Sequence, residues 1–247
     1  MHHLTNWVTI SECAAVVRAF GAAPVMAHAV EEAAEMAALA GAVVLNIGTL
    51  DRTMIEAMKL AAAAANRKGI PVVLDACGAG ATPFRDQACR ELLAAARIDV
   101  LKGNASEIAR LAGADVQTRG VDAGVVAADD LETLARGLAA ARNATVVVTG
   151  KIDLVVAPDG TIYRVANGHP LMGECVGTGC MASSAIGTFA AVCPENLPAA
   201  AAAGLACYEI AAELAVPAVA GPADFKLRLL DAIHHLTPED VARLVRI

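Results

Sequence analysis

The chain has 247 residues, of which 57% are hydrophobic and only 3% aromatic, and its formal net charge is −7. This length suits one large α/β domain with a sizeable core. The acidic balance and the lack of a basic stripe argue against a nucleic-acid partner and against binding to anionic membranes. A nucleotide ligand remains compatible with that charge, because backbone amides and magnesium can hold its phosphates.

Up to Gly150, short runs of valine, leucine and isoleucine alternate with longer alanine-rich stretches. Short apolar runs are typical of strands covered on both faces, and the stretches between them have helical periodicity. The alternation predicts an α/β fold with a central, mainly parallel sheet and helices on both faces. Asp51 is predicted to cap one helix, and Pro83 stands where a first helical turn tolerates proline. The predicted strands are Ala23–Ala27, Ala42–Ile47, Pro71–Asp75, Asp99–Leu101 and Thr145–Thr149, and the predicted helices are Glu31–Ala40, Thr53–Lys68, Pro83–Ala95 and Leu131–Arg142.

The pattern changes after Gly150. Two apolar segments, Asp153–Ala157 and Thr161–Val165, flank a Pro-Asp-Gly turn and predict a β-hairpin. A glycine-rich segment from Gly173 to Gly179 then leads into a long helical tail. Because no linker or repeat interrupts the chain, we expect residues 1–247 to form a single domain.

Cysteine usage and the lack of targeting features bear on the cellular location. The seven cysteines are odd in number and no two have the Cys-x-x-Cys spacing. This pattern favours neither a disulfide framework nor a zinc cluster, and it predicts a reducing, cytoplasmic environment. The first residues lack the basic and apolar regions of a secretory signal. The apolar stretch from Leu197 to Val216 carries Tyr208, Glu209 and Glu213 at helical spacing, which favours a core helix over a membrane span.

Four consecutive predicted strands end in glycine beside a polar or charged residue. Open parallel sheets bind ligands at the carboxyl ends of their strands. The four endings therefore predict a shared ligand-binding rim, with ordinary turns between strands and helices as the alternative. These endings are Leu45–Thr49, Leu74–Thr82, Leu101–Glu107 and Val148–Gly150.

Two carboxylates of this rim are candidate metal ligands. Asp75 ends a buried strand, where a carboxylate is costly to desolvate unless it is paired or binds a cation. A helix N-cap is the alternative role for Asp75. Asn104 and Glu107 have the spacing of residues on one face of a first helical turn. They form either part of a ligand site or a capping box.

The segment Gly177-Thr178-Gly179-Cys180 is the richest candidate motif. A glycine-rich backbone that feeds a helix offers free N–H groups and the positive end of the helix dipole to an anion. Phosphoryl transfer needs such charge stabilisation and alignment more than covalent help. Cys180 at this helix start is a candidate catalytic group, because a helix N-terminus lowers a thiol pKa, and a buried small hydrophobe is the alternative.

Other nucleotide-binding motifs are missing or weak. The sequence has no Gly-x-x-x-x-Gly-Lys-Ser/Thr segment, which excludes a P-loop. After Gly78-Ala79-Gly80 comes Pro83 rather than a third glycine, so a Rossmann fingerprint is weak.

Taken together, these segments resemble the hydroxyethylthiazole kinases of the ribokinase-like superfamily, in the right order over nearly the whole chain. The resemblance implies ATP-dependent phosphorylation of 4-methyl-5-(2-hydroxyethyl)thiazole with magnesium, a step of thiamine salvage. It also implies a homotrimer whose thiazole site lies at a subunit interface. The segments that carry it are His2–Thr9, Pro24–Ala27, Asn46–Leu50, Gly78–Thr82, Gly103–Glu107, Asn167–Leu171 and Gly177–Cys180.

The resemblance also assigns roles to individual residues. Asn6, Met26, Gly48 and Gly177 would line the thiazole pocket. The catalytic residue would be Cys180, facing the hydroxyethyl group, with an anion hole formed by Gly177, Thr178, Gly179 and Cys180. Asp75 and Glu107 would serve magnesium and the phosphates, while Lys102 and Thr149 would contact ATP.

Departures from the family pattern leave two alternatives open. The family's usual Asp-Pro-Val-Gly is Asp75-Ala76-Cys77-Gly78 here, its usual arginine is Lys102, and its glycine-rich segment near the end is Gly221–Phe225. The family's usual N-terminal helix is expected to be absent. Another ribokinase-like alcohol kinase, of the hydroxymethylpyrimidine type, is one alternative, and a decayed kinase that only binds ligand is the other.

Overall fold

The computed structural model describes residues 1–114 and 128–247. Within these residues, seven strands form one sheet whose spatial order follows the chain. The first five strands pair in parallel, and the last two join them in antiparallel fashion. The predicted α/β fold with a mainly parallel sheet is confirmed. The strands are β1 (His2–Leu4), β2 (Val43–Asn46), β3 (Val72–Asp75), β4 (Val100–Asn104), β5 (Thr145–Thr149), β6 (Asp153–Val156) and β7 (Ile162–Val165).

Helices cover both faces of the sheet. Successive strand residues point to opposite faces, so Val43 and Leu45 belong to one apolar core while Val44 belongs to the other. The first core packs against α2 (Ala33–Leu39), α3 (Arg52–Lys68), α4 (Pro83–Ala95), α5 (Ala105–Leu111) and α6 (Ala128–Arg142). The second packs against α1 (Ile10–Ala19), α8 (Thr178–Val192), α9 (Leu197–Ala215) and α10 (Pro222–His235), and the short helices α7 (Leu171–Glu174) and α11 (Pro238–Leu244) complete the fold.

Local capping chemistry sets the start of several helices. The carboxylate of Asp51 accepts a hydrogen bond from the backbone N–H of Met54 at 2.7 Å, so its predicted capping role is confirmed. Thr82 caps α4, and Pro83 occupies its first turn. Proline is tolerated there because an N–H group in the first turn has no acceptor within the helix. These caps place the helix starts at the carboxyl edge of the sheet, next to the ends of the strands.

The predicted strand Ala23–Ala27 is wrong. Only Val25 of this segment pairs with the sheet, through a single parallel bridge to His2. The edge strand is His2–Leu4, which pairs with Val43–Leu45. Pro24 lacks the N–H that a strand ladder needs, which explains why the apolar segment around it does not form a strand.

The second half of the chain follows the prediction more closely. β6 and β7 form the predicted hairpin. Within the described residues, α9 alone has the length and apolarity of a membrane span, and 61% of that stretch is buried inside the protein. Its burial against α8 and α10 agrees with the predicted core helix.

Two helical glycines provide a test of this packing. A Cβ at Gly204 of α9 would lie 3.0 Å from the carbonyl oxygen of Ala185 in α8, whereas a Cβ at Gly137 of α6 would meet no described atom within 4 Å. We expect Gly204→Ala to lower the free energy of unfolding by about 1–3 kcal/mol, because the helices must move apart. Gly137→Ala should raise it by about 0.5–1 kcal/mol. Urea unfolding measures both, and equal effects of the two changes would contradict the packing.

Candidate active site

A row of polar side chains crosses the carboxyl edge of the sheet. In the strand register, Asn46 pairs with Asp75, and Asp75 pairs with Lys102. All three are buried, with at most 4% of each residue exposed. Because paired residues of neighbouring strands point to the same face, the three side chains lie side by side beneath α8.

An ion pair forms the centre of this row. The Lys102 ammonium lies 3.3 Å from Oδ2 of Asp75 and donates a hydrogen bond to the carbonyl oxygen of Gly179 at 3.0 Å. Burial acts to lower the pKa of Lys102, but the negative charges of Asp75 and Glu107 outweigh it and hold that pKa above its usual value. Lys102 therefore keeps its positive charge inside the protein.

Neutral donors also bind one oxygen of the Asp75 carboxylate. Its Oδ2 accepts hydrogen bonds from Nδ2 of Asn46 at 2.8 Å and from the hydroxyl of Ser183 at 2.7 Å. The alternative role of Asp75 as a helix N-cap is excluded, because Thr82 caps the helix that follows. Asp75 instead connects the sheet to α8 through Ser183.

Glu107 is held by backbone donors at both oxygens. Oε2 accepts from the N–H of Asn104 and Oε1 from the N–H of Gly78, each at 2.7 Å. Asn104 in turn accepts from the N–H of Glu107 at 3.0 Å, which completes the capping box that starts α5. Burial raises the pKa of Glu107, and Lys102 opposes that rise. The structure therefore fixes one orientation for this carboxyl group.

The start of α8 closes over the sheet edge. Gly177 caps the helix with a φ of +98°, in the left-handed region that favours glycine. A Cβ at this position would also overlap the methyl group of Thr9. Tyr208 donates a hydrogen bond to the carbonyl oxygen of Thr178 at 3.1 Å and braces the turn from below. The first turn of α8 thus meets the cleft with its N–H end.

The sulfur of Cys180 lies in this first turn and is a hydrogen-bond acceptor. Nδ2 of Asn6 donates a hydrogen bond to it at 3.2 Å. The neighbouring Cys77 thiol lowers the pKa of Cys180 to about 7 against the opposing effect of burial, with a smaller contribution from Lys102. The surroundings of Cys180 therefore favour its thiolate form.

These groups line one cleft of about 580 Å³. The structure brings ten of the eleven predicted site residues together along its wall: Asn6, Gly48, Asp75, Lys102, Glu107, Thr149, Gly177, Thr178, Gly179 and Cys180. Met26 is the exception. Its carbonyl oxygen accepts a hydrogen bond from Nδ1 of His28 at 2.7 Å, and the residue is half-buried outside the cleft of this chain.

A second cleft of about 650 Å³ adjoins the first. Four residues line both clefts, namely Thr149, Gly173, Thr178 and Gly179. Asp153 and Glu209 meet at the second wall, where burial raises the pKa of Glu209 to about 10 and the Asp153 charge adds to the effect. Of the residues that line this second cleft, Thr149, Thr178 and Gly179 are predicted site residues. The segment Asn167–Leu171, which carries part of the family resemblance, also lies there.

Several structural members of the site were missed from the sequence. Asn46 lies at one of the strand ends of the predicted ligand-binding rim, but nothing in the sequence indicates its hydrogen bond to Asp75. Ser183 lies three positions after Cys180, a spacing that places both on one face of a helix. No sequence pattern indicates that Arg85 belongs to the site. It donates to the carbonyl oxygens of Ile47, Gly48 and Cys77 at 2.7–2.8 Å and ties two strand-end loops together.

Comparison with known sequences gives consistent matches. A profile of the hydroxyethylthiazole kinase family matches residues 1–239. The hydroxyethylthiazole kinase of Methanosarcina mazei is 49% identical over 247 residues, which cover 100% of this chain and 94% of the relative. The hydroxyethylthiazole kinase of Methanosarcina acetivorans is 51% identical, and the match covers 98% of this chain and 91% of the relative.

Comparison with solved structures gives matches both to a hydroxyethylthiazole kinase and to distant neighbours. The hydroxyethylthiazole kinase of Pyrococcus horikoshii superposes with a TM-score of 0.88 at 37% identity, over 99% of this chain and 91% of the other. A ribokinase-like protein of Enterococcus faecalis gives a TM-score of 0.62 at 16% identity, over 94% and 85% of the chains. Ribokinase from Giardia lamblia gives a TM-score of 0.58 at 13% identity, over 94% of this chain and 82% of the other. These two distant matches show the fold alone, and they confirm it as ribokinase-like.

The Lys102–Asp75 pair can be tested by substitution. We expect Lys102→Met to lower the free energy of unfolding by about 3–5 kcal/mol, because it leaves the Asp75 carboxylate buried without a cation. Adding Asp75→Asn should recover part of this loss. Urea unfolding measures both, with Arg243→Met as the control, since the exposed Arg243–Asp240 pair contributes about 1 kcal/mol or less. A double variant no more stable than Lys102→Met would contradict the coupling.

Proposed function

The chain belongs to the hydroxyethylthiazole kinase family, and on that premise we propose that it transfers the γ-phosphoryl group of ATP to the hydroxyl of 4-methyl-5-(2-hydroxyethyl)thiazole. One observation carries the proposal. The Cys180 sulfur, the N–H end of α8 and the carboxylates of Asp75 and Glu107 line the same cleft. The family match favours the thiazole alcohol over the pyrimidine alternative.

We propose Cys180 as the catalytic residue that faces the substrate hydroxyl. A primary alcohol has a pKa far above neutrality, so its proton leaves only late in a loose transition state. A sulfur that is already partly thiolate accepts a hydrogen bond from that hydroxyl and takes up its proton when the new P–O bond forms. Asn6 orients the sulfur through its own hydrogen bond at 3.2 Å.

Gly177, Thr178, Gly179 and Cys180 are proposed as the anion hole. Their backbone lies at the N-terminus of a 15-residue helix, where free N–H groups and the helix dipole favour negative charge. Asn6, Gly48 and Gly177 are proposed to contact the thiazole, because all three line the cleft beside Cys180. An opening of this size, with few polar groups, suits a small, mostly apolar alcohol.

Lys102 and Thr149 are proposed as ATP contacts. Thr149 lines both clefts, so a nucleotide whose nucleoside lies in the second cleft reaches the first along this residue. The Lys102 ammonium lies 3.0 Å from the Gly179 carbonyl, directly below the anion hole. Its charge there favours a phosphate above it.

A magnesium ion is proposed beside Asp75 and Glu107. Within the described part of the chain, no group of three or more His, Cys, Asp or Glu side chains has the geometry of a metal cage. Two carboxylates without a cage fit magnesium, which keeps several waters and is shared with substrate phosphates. When bound, the ion would neutralise phosphate charge, and Asp75 and Glu107 would hold it through hydrogen bonds to water.

We also propose a homotrimer with the thiazole site at the subunit interface. Two apolar side chains lie exposed at the cleft mouth, Val8 at 60% and Val176 at 72%, and Trp7, next to Val8 in the chain, is 59% exposed. A cluster of exposed apolar residues is typical of an interface. Met26 lies outside the cleft of its own chain, and we propose that it lines the site of a neighbouring subunit. One kinase domain over residues 1–247 and a cytoplasmic location complete the proposal.

A kinase assay of Cys180→Ala tests the catalytic assignment. We expect kcat to fall about 10²-fold or more while the KM for thiazole changes little, because the sulfur acts mainly on the transferring proton. The assay follows ADP release with the thiazole alcohol, a pyrimidine alcohol and pyridoxal as acceptors. Cys193→Ala, at the far end of α8, is the matched control and should keep wild-type rates.

Other outcomes of this assay separate the alternatives. Equal losses in kcat and in thiazole affinity would count against a catalytic Cys180. Thiazole and ATP binding by calorimetry without any product from the wild type would indicate a decayed kinase. Omission of divalent cation should abolish product formation, and a reaction that proceeds in excess EDTA would contradict the magnesium proposal.

Light scattering tests the proposed trimer. We expect a solution mass three times the 25.1 kDa of one chain. Trp7→Glu should lower that mass, because it places a charge beside the exposed apolar residues of the cleft mouth. Val192→Glu changes an equally apolar side chain, 78% exposed, at the other end of α8 and should leave the mass unchanged. A trimer that survives Trp7→Glu would exclude the cleft mouth from the interface.

A further inference from the structure

One wall of the second cleft is a loop at the edge of the sheet. Residues 166–170 directly follow β7, and all five line this cleft. Within the described residues, β7 is the last strand in the sheet order and pairs with β6 on one side. An unattached loop would lose considerable conformational entropy on adopting one shape. Contacts from outside the sheet must therefore hold this wall in place.

The segment that follows α11 returns to this loop. The N–H of Ala166 donates a hydrogen bond to the carbonyl oxygen of Arg246 at 2.9 Å, and the N–H of Arg246 donates to Oδ1 of Asn167 at 2.9 Å. Nδ2 of Asn167 donates to the carbonyl oxygen of Leu244 at 2.9 Å. Three hydrogen bonds thus attach the start of the loop to the last turn of α11 and the segment after it.

Glu213 of α9 holds the next part of the loop. Its Oε1 accepts hydrogen bonds from the N–H of Gly168 at 2.7 Å and from Nδ2 of Asn167 at 3.2 Å. Gly168 has a φ of +106°, in the region that favours glycine. The chain therefore turns at Gly168 with its N–H directed at the Glu213 carboxylate.

The guanidinium of Arg246 joins these two attachments. It donates to the carbonyl oxygen of Ala166 through Nε at 3.1 Å and through Nη2 at 2.9 Å. Nη2 also forms an ion pair with Oε1 of Glu213 at 2.5 Å. A planar guanidinium can bridge two acceptors because its donors have fixed directions, whereas an ammonium is a point charge. An isolated surface ion pair contributes little, but this one belongs to a network of hydrogen bonds.

We propose that Arg246 and Glu213 are positioning residues for nucleotide binding, which hold residues 166–170 in the shape that receives the nucleoside. Neither residue lines either cleft in the described part of the chain, so both act through the loop and not by contact with the ligand. The inference rests on the proposed function, because it takes the second cleft as the subsite for the nucleoside of ATP.

The pair is separate from the groups proposed for phosphoryl transfer. Cys180 and the anion hole lie in the first turn of α8, which makes its own bonds to the sheet through Ser183 and Lys102. A loosened loop should therefore weaken nucleotide binding while the transfer site stays in place. Loss of binding that is equal in the ground state and the transition state raises KM without lowering kcat. A residue that only stabilised the fold would instead reduce the amount of active enzyme at an unchanged KM for ATP.

Kinetics and calorimetry of Arg246→Met test the proposal. We expect the KM and the Kd for ATP to rise about 10-fold, as loss of a hydrogen bond to a charged group predicts, with little change in kcat or in the KM for thiazole. Arg246→Lys keeps the charge without the planar fork and should recover part of the loss. Arg243→Met is the matched control: it removes an exposed arginine of α11, paired with Asp240, and should keep wild-type values.

Glu213→Gln tests the other member of the pair and covers the case in which Arg246→Met fails to fold. The amide oxygen can still accept from Gly168, but the charge that attracts Arg246 is lost. We expect a smaller rise in the Kd for ATP than in Arg246→Met. The double variant should bind ATP more tightly than the sum of the two single effects predicts, because both changes disrupt one network. Fully additive effects would contradict the coupling.

The remaining outcomes separate this inference from the proposed function. A Kd for ATP in Arg246→Met and Glu213→Gln equal to that of Arg243→Met, in an active kinase, would overturn the inference and leave the proposed function standing. A wild type that binds ATP but forms no thiazole phosphate would overturn the proposed function, and the Kd values for ATP would still decide the role of the pair. A wild type that binds no ATP would overturn both.

Discussion

The buried ion pair of Lys102 and Asp75 is the interaction on which the site depends. Two charges buried at the carboxyl end of a sheet are costly to desolvate, so each needs partners that are fixed in place. Asp75 receives Asn46 from the neighbouring strand and Ser183 from α8, while Lys102 reaches the Gly179 carbonyl. Because Ser183 and Gly179 belong to the same helix, satisfying the two charges also sets the position of α8 above the sheet. The catalytic thiol proposed above is carried on that helix, so its position follows from the electrostatics below it.

Close packing around α8 is a second consequence of this constraint. The helix approaches the segment at Thr9 so closely that only glycine fits at position 177, and on its other side it lies against Gly204 of α9. Asn6 lies in the segment that precedes α1, and its side chain accepts from Thr9 while donating to Cys180. The first residues of the chain and a helix more than 170 positions later thus share one hydrogen-bond network. The cleft is built from parts that are distant in sequence, as expected when a parallel sheet collects its strand ends at one edge.

Much of this arrangement was predictable, and the failures have identifiable physical causes. Asp75 was predicted because a carboxylate that ends a buried strand is conspicuous, and Cys180 because glycines precede it at a helix start. Glu107 was predicted from its spacing to Asn104, and Lys102 from the family resemblance. Arg85 and Ser183 were missed because they contribute through the tertiary packing of their helices, which a local pattern does not encode. The strand Ala23–Ala27 failed for a similar reason: apolar composition indicates burial, whereas strand pairing depends on N–H groups that Pro24 lacks.

The two readings of Asn104 and Glu107 turn out to be compatible. The capping box, which was predicted as the alternative to a role in the site, is present, and Glu107 lines the cleft as well. Each carboxylate oxygen has two lone pairs, and the backbone donors of Asn104 and Gly78 occupy one on each oxygen. One lone pair per oxygen is left, in an orientation that the two N–H groups hold rigid. A carboxylate fixed in this way suits the water shell of a magnesium ion, which demands near-ideal octahedral geometry and gives up its waters reluctantly. Helix capping here therefore positions the carboxylate that is proposed to serve magnesium, and it does not compete with that proposed role.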